Sequence, residues 1–214
     1  MVTSNHIHLL VVDDGGRDVI PESVRLVTGR TGQEYNIRMR RKGAFWEDRY
    51  HAAAIETGEH LLRCIVYIDM NMVRAGVVNH PAEWGDGGYN EIQNPRRKCA
   101  LIAYGRLRSL LGFPTCEDLV AAHAEWVGQS LTDRGHQRES IWTENIAVGG
   151  KEFAESTRRQ LGIRAKGRKV FDIGGTFELR ESPAGYIADF DLENSDIGLQ
   201  NAYLWDGNIE ISTR

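Results

Sequence analysis

His6-Ile7-His8-Leu9-Leu10-Val11-Val12, ended by Asp13-Asp14-Gly15-Gly16, reads as a β-strand running into a turn. Two-residue alternation puts His6, His8 and Leu10 on one face and Ile7, Leu9 and Val11 on the other. A second stretch, Glu59 to Arg74, follows the period of a helix and stops at Gly76. Leu61, Leu62, Ile65, Ile68, Met72 and Val73 cover its packing side. Tyr67 and Asn71, four residues apart, share another face, bordered by Cys64 and Arg74. A period of two followed by a helical period predicts a mixed α+β chain.

Working outward, Pro21 stands near the start of a helix expected over 22–35, and the basic loop Arg38-Met39-Arg40-Arg41-Lys42-Gly43 follows it. Residues 45–55 are a mixed strand candidate. Residues 79–97, rich in Asn, Pro and Gly, read as a long surface connection. Helices are expected over 101–111, 117–131 and 151–161. A basic hinge, Arg164-Ala165-Lys166-Gly167-Arg168-Lys169, leads to strand-like runs at 170–173 and 176–179 and an acidic, aromatic end through Trp205.

Composition narrows the function classes. The chain has 214 residues, 41% hydrophobic and 26% charged, with a net charge of −4. That is a globular composition with ample length for a core. No run approaches the roughly 20 apolar residues that span a bilayer. Cys64, Cys99 and Cys116 fit neither a disulfide framework nor a thiolate zinc cluster, and read as reduced cysteines of a cytoplasmic protein. The total charge hides a partition: residues 151–169 hold seven basic and two acidic side chains, whereas 170–214 hold two and nine. Local positive stretches permit a nucleic-acid partner without demanding one. The patterns GxxxxGK[ST], GxGxxG and HExxH are absent.

Two same-facing histidines could share one cation through their ring nitrogens, although alone they read as ordinary strand histidines. A phenol beside an amide ligand on one helix face could serve covalent attack next to such a cation. At this point three ordered stretches resemble one family. Ser4-Asn5-His6-Ile7-His8-Leu9-Leu10-Val11 resembles the metal-binding strand of the HUH single-strand tyrosine transposases, and more narrowly of the REP-associated tyrosine transposases. Gly43-Ala44-Phe45-Trp46-Glu47-Asp48-Arg49-Tyr50 and Tyr67-Ile68-Asp69-Met70-Asn71-Met72-Val73-Arg74-Ala75-Gly76-Val77-Val78 follow in the family's order. Met72 stands where the family usually has proline, so the helix is expected to run slightly further here. A looser likeness extends to Trp142–Gly149 and Arg164–Arg168.

The resemblance implies a single-stranded DNA endonuclease and strand transferase. Tyr67 would be the nucleophile, and His6, His8 and Asn71 the ligands of Mg²⁺ or Mn²⁺. The DNA contacts would be Arg38, Arg40, Arg41, Lys42, Trp46, Arg49 and Arg74, with a second set at Lys166, Arg168 and Lys169; Phe45 and Tyr50 are weaker stacking candidates. The fold implied is α+β. A ferredoxin-like HUH nuclease domain over 1–92 would lack its first strand, first helix and second strand, because the HUH motif lies at His6. A mostly helical accessory region over 93–169 and an acidic aromatic segment over 170–214 would follow. With its sheet incomplete, such a chain is expected to fold poorly or aggregate unless the missing N-terminal elements, or another chain, complete the sheet. Single-stranded or hairpin DNA is the expected partner, no membrane is, and the oligomeric state is open to a homodimer. The expected location is cytoplasmic and nucleoid-associated. The rivals are a catalytically inactive or domesticated DNA-binding remnant and a structural protein.

The basic loop generates a prediction. Neutralising Arg40, Arg41 and Lys42 together should weaken many single-stranded oligonucleotides alike and flatten the salt dependence of binding. A triple variant with the wild-type salt slope would place the DNA elsewhere.

Overall fold

The computed structural model describes residues 1–181 apart from 4, 17, 48, 97–100 and 133–137. At its centre lies helix α2 (Glu59–Asp69), where seven residues, Leu61, Leu62, Cys64, Ile65, Val66, Tyr67 and Asp69, are buried. An amphipathic surface helix buries one stripe. This helix buries three sides, because apolar side chains at successive turns point in different directions. Leu61, Leu62 and Ile65 pack with Ile92, Leu111 and Leu119. Cys64 and Tyr67 pack with Trp142 and Val148. Val66 and Met70 pack with Val73 and Val127. Each such side chain contributes about 1.5–3 kcal/mol when fully buried.

The partners come from α5 (Tyr104–Leu111), α6 (Cys116–Thr132) and a sheet. That sheet has four strands: β1 (Ala54–Ile55), β2 (Ala147–Gly149), β3 (Arg168–Ile173) and β4 (Thr176–Glu181), in the order β1-β2-β4-β3. β1 runs parallel to β2, with Ala54 opposite Ala147 and Ile55 opposite Val148. The other two pairings are antiparallel. The β3–β4 hairpin closes through Gly174-Gly175, both at positive φ (63° and 89°), the pair of conformations a tight two-residue hairpin requires. α7 (Lys151–Leu161) lies on this sheet and buries Ala154. β1 approaches so closely that a side chain at Gly149 would stand 2.6 Å from Glu56 Cβ. The Glu56 carboxylate also accepts from the Gly150 amide at the start of α7 (2.5 Å).

Several expectations need correction. Residues 6–12 form no strand; the only pairing there is an isolated bridge between Val2 and Ile7. No neighbouring strand among the described residues offers backbone partners. Leu9, Leu10, Val11 and Val12 therefore remain 43–62% exposed. The first helix, α1, is longer than expected (Val19–Arg38) and buries only Gly32. Of the 45–55 strand candidate, only Ala54–Ile55 is extended into a ladder. The single helix expected over 59–74 is interrupted at Met70: α2 ends at Asp69, and α3 (Asn71–Arg74) follows. Met70 N–H still bonds to Val66 and Arg74 N–H to Met70, so the helical path is nearly continuous. Residues 79–97 are not simply a surface connection. They hold a 3₁₀ turn (Pro81–Glu83) and α4 (Tyr89–Gln93), with Pro81, Glu91 and Ile92 buried. Glu91 Oε1 explains this, since it accepts from the amides of Leu101 and Ile102. Residues 147–173 contribute two strands to a region expected to be mostly helical, and β3 crosses the expected segment boundary at 169–170. The acidic, aromatic end through Trp205 lies outside the described residues.

One polar chain fastens α2 to α6. His123 is fully buried, and its Nε2–H donates to Asp69 Oδ2 at 2.9 Å. Gln93 Nε2 donates to the other ring nitrogen (2.9 Å) and to Val120 O (3.1 Å). Removing either partner of Asp69–His123 leaves a polar group buried without its bond. His123→Ala should therefore lower the unfolding free energy by on the order of 3 kcal/mol. A loss below about 1 kcal/mol by urea denaturation would show that the bond does not tie the helices.

Candidate metal and tyrosine site

The helical spacing of Tyr67, Asn71 and Arg74 puts all three on one strip. Against this strip the segment Met1–His8 is held by main-chain bonds: Val2 N–H to Asp86 O (2.9 Å) and His8 N–H to Met1 O (3.0 Å). Trp84 Nε1–H adds a bond to Val2 O at 3.0 Å. The result brings His6 and His8 together, ring centroids 4.9 Å apart and nearly perpendicular. Asn71 Nδ2 donates to both, at 3.4 Å to His6 Nε2 and 3.2 Å to His8 Nε2. Residues from two distant parts of the chain thus meet as two imidazoles and one amide. Both Nε2 atoms accept, so their lone pairs face one point. A half-turn of the Asn71 amide would present its oxygen to that point in place of the nitrogen.

This donor set fits a divalent cation. Imidazole nitrogens suit Mn²⁺ better than Mg²⁺, and an amide oxygen suits both. Among the described residues no three His, Cys, Asp or Glu side chains are grouped as metal ligands. The third member here is an amide, outside those four types.

The surroundings of His8 disfavour its charged form. Burial, followed by the charges of His6, the N-terminal ammonium and Arg74, pushes its imidazole down to about 4. An unperturbed histidine takes up its proton near 6.5. Between those values the unfolded chain binds a proton at this position and the folded chain does not. Stability from this residue is therefore full above pH 6.5 and falls as the pH drops towards 4.

Tyr67 lies one turn back and is only 7% exposed. The Arg74 guanidinium carbon stands 3.9 Å from the centre of its ring, a cation–π contact. Trp142 lies 6.1 Å away, its Nε1–H donating to Glu139 (2.9 Å). Burial pushes the Arg74 guanidinium below its ordinary range, opposed by Tyr67 and Glu139. Its Nη2 is buried and has no hydrogen-bond partner among the described residues. Such a donor is costly to leave unpaired. Cys64 on the same side is inert, its thiol raised by burial to about 12.

The remaining expected DNA contacts sit elsewhere. Arg38, Arg40 and Lys42 are exposed at the end of α1 and the loop beyond, and Arg40 holds a positive φ of 51°. Arg41 donates to Ala44 O (2.8 Å) and lies 5.6 Å from the Tyr35 ring centre. Trp46 is half-buried and donates to Thr28 O (2.9 Å), while Phe45 packs between Tyr35 and Trp46. These aromatics fasten the loop to α1. Arg49 and Tyr50 are exposed, as are Lys166 and Lys169. Arg168 is engaged internally, donating to Arg164 O (2.5 Å) and facing Glu181 at 3.6 Å.

Trp142 and Glu139 were not legible as site residues. Neither type signals a role at such a distance along the chain, and only the packing of Tyr67 reveals them. No protein-family profile, curated protein or solved structure matches the chain.

A histidine-resolved NMR titration checks the electrostatics. The His8 ring resonance should titrate with a midpoint near 4, and unfolding free energy should be lower at pH 5 than at pH 7. A midpoint near 6.5 would mean that the ring is solvated as in a free peptide.

Proposed function

We propose that the chain is a metal-dependent, tyrosine-using endonuclease and strand transferase of single-stranded or hairpin DNA, of the HUH kind that its three motifs resemble. One observation carries the reading. His6 and His8, remote in sequence from α2, converge on Asn71 one helical turn from Tyr67, beside Arg74, whose Nη2 has no hydrogen-bond partner among the described residues.

His6, His8 and Asn71 would hold the cation. When bound, Mg²⁺ or Mn²⁺ supplies Lewis-acid polarisation of the scissile phosphate. Arg74 Nη2 donates to a non-bridging phosphate oxygen, which gives its buried N–H the acceptor it lacks. Tyr67 Oη bonds to phosphorus as the bond from phosphorus to the 3′-oxygen breaks. The phenolic proton ends, by way of water, on the departing 3′-oxygen, leaving a 5′-phosphotyrosine and a free 3′-hydroxyl. That hydroxyl reverses the step when it attacks the phosphotyrosine and restores the diester. Arg38, Arg40 and Lys42 add phosphate attraction without base reading. Work on DNA in a cytoplasmic, nucleoid-associated setting, as one copy or two, belongs to the same proposal. Among the described residues no helix is long and apolar enough to cross a membrane.

A second reading, DNA binding without cleavage, is favoured by the burial of Tyr67. The ring is 7% exposed, with the Arg74 guanidinium and Trp142 packed against it. Incubation with a hairpin-bearing single strand and Mn²⁺, followed by peptide mass spectrometry, separates the two. The first reading expects a nucleotide adduct on Tyr67, abolished in Tyr67→Phe with DNA binding within about two-fold. DNA attached elsewhere, or undiminished cleavage by the variant, would overturn the nucleophile; binding with no adduct would favour the second reading.

A further inference from the structure

A histidine binds a cation through one nitrogen only if the proton sits on the other. In metal sites an acceptor bonded to the far ring nitrogen usually fixes that choice. Around His6 the structure supplies such an acceptor from its immediate neighbour. Nδ1–H of His6 donates to Asn5 Oδ1 at 2.7 Å. Thr3 Oγ1 lies 3.1 Å from the same nitrogen.

The turn that holds them is closed by its own bonds. Thr3 N–H donates to His6 O (3.0 Å), and Thr3 Oγ1–H donates to the same oxygen (2.9 Å). His6 N–H donates back to Thr3 Oγ1 at 3.1 Å. These bonds fix Thr3 relative to the His6 ring, and Thr3 Oγ1 lies 3.3 Å from Asn5 Oδ1. On the far side, His6 Nε2 accepts from Asn71 Nδ2. A ring with a donor on one side and an acceptor on the other has one tautomer.

We propose that Asn5, supported by Thr3, is the positioning residue that keeps the His6 proton on Nδ1 and aims the Nε2 lone pair at a divalent cation. This rests on the metal reading given above for His6, His8 and Asn71. His6 is exposed, and the Asn5 acceptor selects which of its two nitrogens carries the proton. In this role Asn5 acts through the His6 ring.

The test uses the full chain labelled with ¹⁵N at histidine, without metal, at neutral to mildly alkaline pH. Long-range ¹H–¹⁵N correlation should place the His6 proton on Nδ1. Asn5→Ala should shift it towards Nε2, the tautomer a free imidazole prefers, and weaken Mn²⁺ binding measured by calorimetry roughly 10–100-fold. Asn5→Asp retains an acceptor and should preserve both the tautomer and the affinity. Asn5 is exposed, so neither variant threatens the fold, and circular dichroism verifies this. A wild-type proton on Nε2, or a tautomer and Mn²⁺ affinity unchanged in Asn5→Ala, would overturn the proposal. A tautomer that obeys Asn5 in a wild-type chain that binds no Mn²⁺ would support the lock and sink the metal reading, so the two failures are distinguishable.

Discussion

Everything at the candidate site depends on how completely α2 is enclosed. Three of its sides are committed to separate apolar clusters. The buried Asp69 carboxylate is committed to His123. What remains is the narrow strip of Asn71 and Arg74 with the edge of Tyr67. A helix so constrained cannot roll to offer a different face. The relative placement of phenol, amide and guanidinium is therefore a consequence of packing on the opposite sides, several residues from any chemistry. His123 and Gln93 matter to the site in this sense, although neither approaches it.

The histidine side is built on the opposite principle. His6 and His8 sit on a segment with no ladder, secured by bonds from Met1, Val2 and Trp84 to nearby main chain. A rigid helix and a lightly tethered turn meet across Asn71. This arrangement lets Asn71 reach both imidazole rings. It also leaves Leu9 to Val12 as an apolar row with about half of its surface in water.

The sequence conveyed the local features well. α7, α6 and the β3–β4 hairpin fall close to their expected bounds because periodicity and the Gly-Gly turn are encoded locally. The Tyr67–Asn71 relation was legible because i, i+4 geometry survives even an interruption at Met70. What failed was anything set by a distant neighbour. Residues 6–12 carry strand chemistry, but a strand exists only where another supplies its hydrogen bonds. Residues 79–97 read as loop because Pro, Asn and Gly signal turns locally, while Glu91 is drawn inside by amides at 101 and 102. The meeting of the two histidines with Asn71 was inferred from resemblance alone. Thr3 and Asn5 stood beside His6 in the sequence, yet nothing local reveals which way an imidazole will face.

The parallel pairing of β1 with β2 has a consequence for the timing of folding. Ile55 finds its partner at Val148, 93 positions later. At a synthesis rate of about 5–20 residues per second, Ile55 waits on the order of 5–20 s for that partner to be made. α2 follows β1 within a few residues and is complete long before the clusters that enclose it. During that interval its apolar sides face water or one another, and the helix that later fixes the site is the segment most in need of shielding. The nascent chain is therefore most vulnerable in its middle, between the synthesis of Asp69 and the arrival of Trp142.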